Sequence, residues 1–404
     1  MTEKRENWLL FTLAGIQFTH ILDFMVMMPL GPQFTRIFSI SDAQFGLLVS
    51  AYTLAGGLSG LVASTFIERF GRKRMLLTLY GFFCLSAVAC SLAPGYHTLI
   101  AARVAAGVFG GVLSSLSQTI VGDVIPFERR GRAMGIVMTS FSAASVAGVP
   151  AGLWLADHFG WHAPFMGIAG LSAVLGLFAA LTLPPLDAHV NRQGGTSAWQ
   201  RIGGVLGDVN HRKAFAFTAL VMIGGFTMIP FLAINAQYGI GLRQDQLPYI
   251  YLCGGLGALL TARWIGRLAD RIGKVRCFRW LCTAGLLPMF AVALLPWGTP
   301  LWVVLAISTL FMMLMGGRMI PSMAIVTSTA NPSARGTFMT LNASVQSAAM
   351  GCAALLGGSL IERTANGQVQ GYWMNALVAT VASLAAIGLA GRLFLHNSGV
   401  SSLK

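Results

Sequence analysis

A short charged cluster occurs twice in this chain, and each copy stands between long apolar runs. One copy is residues 64–74, STFIERFGRKR, and the other is residues 266–276, GRLADRIGKVR. Their glycines, Gly71 and Gly273, lie half a chain apart in 404 residues. A duplicated hinge in a chain this apolar implies two related membrane halves, the build of a transporter. Composition agrees. The chain is 55% hydrophobic and 10% charged, against about 25% charged for a soluble domain. Most of it must therefore meet lipid or other helices.

A helical span takes about 20 mostly apolar residues. Twelve runs fit, over 8–30, 43–67, 75–93, 98–122, 134–156, 163–184, 213–236, 247–266, 280–296, 301–325, 337–361 and 372–394. The expected fold is all-α and integral to the membrane, with six helices in 1–184, a cytoplasmic link at 185–212 and six helices in 213–404. Within the link, Trp199, Ile202, Val205, Leu206 and Val209 recur at helical spacing, which fits a short amphipathic helix on the inner leaflet. The first apolar run is too long for a signal peptide and contains Asp23, so it reads as a retained span.

Basic residues orient the chain. Of 27 Lys and Arg, only Arg36, Arg243 and Arg363 fall in one set of loops, while Arg103, Arg263 and Arg318 fall within spans. The rest gather on the other side, which is the cytoplasmic one, together with both termini. The net charge of +14 is scattered over short loops and forms no nucleic-acid patch. The six cysteines form no Cys-x-x-Cys pair, and neither a disulfide nor a zinc framework is readable.

Asp23 is the one acidic residue placed well inside a span. A charge there costs at least about 2.5–3.5 kcal/mol. Burial and a nearby cation act on a carboxylate in opposite directions, a balance suited to proton exchange. The plain alternative is a permanent ion pair that locks two helices. Arg103, in the outer half of span 4, is the expected partner, unless it snorkels to the headgroups. His20 stands one turn before Asp23, and Gln17 extends the same stripe inward. The pair His20 and Asp23 forms either a proton relay or a polar lining. It is also the only set that an enzymatic reading has available, because no metal cluster, nucleophile elbow or phosphate-binding loop is present.

These residues bring a family into view. The chain resembles the major facilitator superfamily over its whole length. Its two charged clusters resemble that superfamily's signature between helices 2 and 3 and its echo between helices 8 and 9. The first copy has Ser64 where glycine is usual and Glu68 where aspartate is usual. Arg103-Val-Ala-Ala-Gly107 is similar to the arginine motif of proton-coupled members. Gly148-Val-Pro150-Ala-Gly152 is similar to the antiporter motif, with Ala144 in place of its earlier glycine. With Asp23-Phe-Met-Val-Met-Met-Pro29, the resemblance narrows to the twelve-helix drug:proton antiporters, and within them to arabinose-efflux-type permeases.

The resemblance implies a proton-coupled secondary transporter of the bacterial inner membrane. It would export a small organic molecule, drug, sugar or metabolite, by alternating access. It would need no cofactor or metal, and it would work as a monomer whose partners are substrate, protons and the lipid bilayer. Asp23, Arg103 and His20 would couple protons. Gln17, Phe24, Met27, Phe226, Met228, Phe231, Asn235, Asn342 and Gln346 would line the cavity, and so would Arg318 unless, in the inner half of span 10, it snorkels inward. The methionines offer soft surface for varied ligands or, read plainly, pack helices. Gly148, Pro150 and Gly152 would bend helix 5 to favour exchange over leak, or serve close packing alone. Glu68, Arg69, Gly71 and Arg72, with Asp270, Arg271 and Gly273, would gate the inner side. Glu68 would dock near Thr337, and Asp270 near Arg132. Two other readings stay open: a symporter that imports a nutrient on the same fold, and a membrane receptor or scaffold.

Overall fold

A computed structural model describes residues 3–63, 65, 70–125, 127–183, 198–331 and 334–395; within these, residues 3–5, 118, 122, 123, 127, 128, 130–132, 134 and 138 are described by backbone alone. The described residues form twelve long helices. In the first half they are α1 (Glu3–Val26), α2 (Asp42–Ala63), α3 (Arg72–Ser91), α4 (Tyr96–Val124), α5 (Phe127–Ala143 continued by Val149–Phe159) and α6 (His162–Thr182). In the second half they are α7 (Val209–Gly239), α8 (Leu247–Ile272), α9 (Lys274–Leu294), α10 (Leu301–Thr329), α11 (Arg335–Ser359) and α12 (Tyr372–Ala390). Ten of the twelve are apolar enough to cross a membrane by length and composition; α8 and α11 fall short of that hydropathy while keeping the length. In α11, Asn342, Ser344, Gln346 and Ser347 lower it. On α6, Leu171, Val174, Leu177 and Leu181 form an exposed apolar stripe suited to lipid.

Several boundaries differ from the expected ones, each for a local reason. The first span does not run on to residue 30. α1 stops at Val26 before Pro29, and a separate short helix, Gly31–Ile37, follows. α7 breaks in the same place, after Phe226 and before Pro230. A proline lacks the N–H that would continue the ladder and clashes with the preceding turn. Aligning Pro29 with Pro230 makes the two breaks counterparts and sets Asp23 against Gly224. Helix 8 also extends beyond its expected end. It carries Asp270 and Arg271 to Ile272, and the hinge shrinks to Gly273, whose φ of 90° a side chain would resist. Between α11 and α12, where a plain loop was expected, Glu362–Arg363 pairs with Val369–Gln370 as a small antiparallel hairpin. A helix at Ala198–Gly207 lies in the link and buries Val205 against the second half.

The core is continuous across the end of the molecule where α2 and α8 begin. Phe45 of α2 meets Phe231 of α7 edge to face, with ring centroids 5.9 Å apart. On the α2–α11 seam, a Cβ at Gly46 would strike the Ala354 carbonyl, and one at Gly57 would crowd Ser344 and Ser347. Glycines here let two helices from different halves run against each other.

Candidate functional site

The N-terminal half holds a closed ion pair. Arg103 Nη1 donates to Asp23 Oδ2 at 2.7 Å, and both side chains have no exposure. Local packing puts them there. Asp23 sits on the last turn of α1 before its break, and Arg103 sits near the start of α4. A Cβ on Gly107 would collide with the Tyr52 carbonyl, and one on Gly111 would collide with Gly56. Only glycine lets α2 and α4 approach this closely. That approach lays the Tyr52 ring under Arg103, with the guanidinium carbon 4.4 Å from the ring centroid. Cation–π attraction strengthens when the pair is desolvated.

The pair keeps spare hydrogen-bonding capacity. Asp23 Oδ1 and His20 Nδ1 have no partner among the described residues. His20 is half-buried, with its ring centroid 6.1 Å from that of Tyr52. Tyr52 OH also donates to the His20 carbonyl at 3.4 Å. Gln17 lies one turn before His20 on α1 and donates to Ser114 Oγ at 3.2 Å. Nothing in its own stretch of sequence marks Tyr52. Its signal was the Gly107-x-x-x-Gly111 spacing on α4 facing Gly56 on α2.

The glycines of α5 buttress this site. A Cβ on Gly148 would come within 2.7 Å of Leu22, and one on Gly152 within 2.6 Å of Val26. These two α1 residues flank Asp23 in sequence. One wide π turn, Ala144–Gly148, precedes Pro150, and such a turn relieves the helix where proline offers no donor. Ser145, inside that turn, touches Gly255 of α8 in the other half. The motif thus joins α1 to the interface between halves.

In the C-terminal half a small cleft opens between α7, α10 and α11. Its polar lining is Thr218, Ser322, Asn342 and Gln346, and its apolar lining includes Phe217, Met222, Met319, Met323 and Met339. None of its lining residues carries a formal charge. Thr218 Oγ1 donates to Asn342 Oδ1 at 2.6 Å. Of the residues expected at a cavity, Asn342 and Gln346 are here. Met27, Met228 and Phe231 are instead sealed in the core, and Asn235 is buried with its amide on the Val292 carbonyl at 3.2 Å. Phe24 and Phe226 stack across the two halves at 6.0 Å.

Arg318 does not line that cavity. Its Nη1 donates to Ser383 Oγ at 2.9 Å and its Nη2 to the Val221 carbonyl at 3.1 Å, all within the second half. The expected gating residues divide. Glu68 and Arg69 lie outside the described residues, as does the side chain of Arg132, the expected dock for Asp270. Gly71 caps the start of α3, Arg72 is buried, and Asp270 and Arg271 are exposed. No group of three or more metal-ligating side chains occurs among the described residues.

Comparison with known proteins agrees with this architecture. The family model of the Major Facilitator Superfamily matches residues 13–354 and 215–401. The uncharacterised MFS-type transporter YceJ of Bacillus subtilis is 26% identical over 376 residues, covering 90% of this chain and 92% of the relative. The inner membrane transport protein YdhP of Escherichia coli is 23% identical over 248 residues, covering 60% of this chain and 62% of the relative. The partially occluded, inward-open structure of the E. coli xylose transporter XylE superposes with a TM-score of 0.76 at 12% identity, covering 99% of this chain and all of that one. The shared fold is a transporter's and not an enzyme's. Two six-helix bundles, their hinged helices and their family match make this chain a multi-pass membrane protein and secondary transporter that belongs to the major facilitator superfamily.

Proposed function

We propose that this transporter exports a small organic molecule across the bacterial inner membrane in exchange for protons, with both termini in the cytoplasm. The supporting observation is the enclosed Asp23–Arg103 pair with an unpartnered carboxylate oxygen beside His20. A buried carboxylate that holds its arginine through one oxygen can take a proton on the other without first leaving the pair. Here one carboxylate oxygen holds the arginine, and the other is available to a proton. Protonation would loosen the pair, and loosening it would alter how α1 packs on α4. That makes the pair a two-state element that a proton biases. Asp23 releases its proton inward once substrate is bound and takes up another from the outer side as substrate leaves.

The cavity of α7, α10 and α11 is the matching place for substrate. Methionine side chains adapt to different shapes, while Thr218, Ser322, Asn342 and Gln346 offer neutral hydrogen bonds. An uncharged or weakly polar organic molecule suits such walls. Proton chemistry thus sits in one half and substrate binding in the other.

The test uses inside-out vesicles energised to an acid interior, a pH-sensitive dye, and a panel of drugs and sugars added in turn. Wild type should release protons with at least one compound, and Asp23→Asn should release none while remaining folded and monodisperse. An equal pH-driven response in Asp23→Asn would remove Asp23 from the coupling path. Compound uptake with protons into right-side-out vesicles would replace export by import.

A further inference from the structure

We propose that Asp42 and Arg363 form the outer gate latch of this transporter, a contact that must part each time the outer side opens. Arg363 lies in the hairpin after α11, and Asp42 is the first residue of α2, so the two halves meet through them. The geometry is a two-pronged fork. Arg363 Nε donates to Asp42 Oδ2 at 2.8 Å, and Nη2 donates to Asp42 Oδ1 at 2.8 Å. Paired, parallel charge-assisted bonds of this kind are among the strongest a guanidinium makes.

Three further contacts gather on the same point. Arg363 Nη2 also donates to Thr35 Oγ1, at 3.3 Å, on the short helix after α1. The guanidinium carbon stands 4.5 Å over the Tyr238 ring, at the outer end of α7. Tyr238 OH then crosses back to the Pro32 carbonyl at 3.3 Å. The carboxylate is almost fully enclosed and the arginine side chain is 30% exposed. Asp42 also keeps Arg363 charged, pushing its pKa above the usual arginine value.

The opposite seam shows why this pair is more than surface decoration. Gln244 stands at the outer entry to α8, as Asp42 does at the entry to α2. It bridges the end of α5 by donating to Asp157 Oδ1 at 2.9 Å, and it accepts from Arg36 Nη2 at 3.4 Å. The two seams therefore share a layout, in which the entry of one helix is tied to the exit region of a helix in the other half. Only the α2–α11 seam ties it with two opposite charges and an aromatic cover. That seam is also where Gly46, Gly57 and Gly358 bring the helices into backbone contact and where Gly351 makes room for the Leu54 and Thr53 side chains. A bistable interface needs contacts strong enough to hold one state and few enough to release. This latch has both properties, and it rests on the proposed cytoplasmic placement of both termini and on a fold that alternates, whatever the substrate, coupling ion or direction.

The experiment reads opening directly, without substrate. Ala354→Cys places a thiol in the sealed seam below the latch, where Ala354 is fully buried. A membrane-impermeant maleimide is added to right-side-out vesicles, and the same variants lacking the added cysteine supply the background of native thiols. With the latch intact, labelling should be slow. Arg363→Gln and Asp42→Asn should each raise its rate about five- to tenfold, tenfold corresponding to about 1.4 kcal/mol. The exchange Asp42→Arg with Arg363→Asp should return the rate toward that of the intact latch. Unchanged labelling in both single variants would overturn the latch. Fast labelling that the exchanged pair does not reverse would overturn it equally, because the loss would then be of packing rather than of pairing. Neither result bears on proton release by Asp23.

Discussion

Arg103 in the first half and Arg318 in the second are both enclosed, and their surroundings differ at one position. Arg103 reaches α1 and finds Asp23. Arg318 reaches α7, where the counterpart of Asp23 is Gly224; its Nη2 would stand 3.2 Å from a Cβ there. The second guanidinium fills the space of an absent side chain and settles on a serine hydroxyl and a backbone carbonyl. One half thus keeps a titratable acid beside its buried cation, and the other keeps only neutral acceptors. The contrast repeats in the packing. In the first half α2 meets α4 through glycine on backbone, at Gly107 and Gly111; in the second, α8 meets α10 through Gly254 and Gly257 against Met312 and Met313. Backbone contacts surround the charge pair, and methionine contacts occupy the corresponding seam of the half that holds the cleft.

The largest test of this contrast removes one arginine at a time. Arg103→Met leaves Asp23 buried without its cation and should cost about 3–5 kcal/mol of stability, the usual cost of breaking an enclosed pair. Denaturant or thermal unfolding in detergent would measure it. In an Asp23→Asn background the same substitution should cost much less, so the double-mutant cycle should show a large coupling. Additive effects would mean that the pair does not hold the half together.

Gly107→Ala should follow, at about 1–3 kcal/mol, because the obstacle to a new methyl is the Tyr52 backbone and not a movable tip. Arg318→Met should cost about 1–2 kcal/mol. It loses two hydrogen bonds from a charged donor, each worth about 1.5–3 kcal/mol. It also abolishes a desolvated charge that no carboxylate offsets, and the two effects oppose each other. A cost equal to that of Arg103→Met would show that the two cations do the same work and would break the comparison.

How much of this was visible in the sequence depends on how unusual each residue is in its setting. Twelve spans, two halves and the Asp23–Arg103 pair were legible, because a lone carboxylate in an apolar run has few innocent explanations. The break of α1 was misplaced, since Met27 and Met28 read as helix and the effect of Pro29 extends back to the residues before it. Tyr52 and Thr218 are ordinary residues of a span, and only three-dimensional closeness gives them partners. The latch was hidden for another reason. Asp42 and Arg363 are 321 positions apart and each looks like a loop charge, so nothing in either neighbourhood points to the other. Cavity walls suffer the same limit. Phe231 and Asn342 are both plausible lining by composition, and only their places on α7 and α11 put one in the core and the other at the cavity.

The smallest expected effect is the most discriminating. Gly254→Ala places a methyl against the Met312 side chain, whose sulfur would be the first atom struck. Methionine has three rotatable bonds and no branching, so it can swing aside where a backbone carbonyl cannot. The cost should therefore stay under about 1 kcal/mol, well below that of Gly107→Ala at the corresponding contact of the first half. Paired unfolding curves of the two variants would decide. If both cost the same, the methionines are fixed parts of a rigid bundle, and softness of the second half cannot explain how its cavity would accept ligands of different shape. If Gly254→Ala is nearly free while Gly107→Ala is not, the two bundles share a fold but differ in stiffness, with the stiff one carrying the charge.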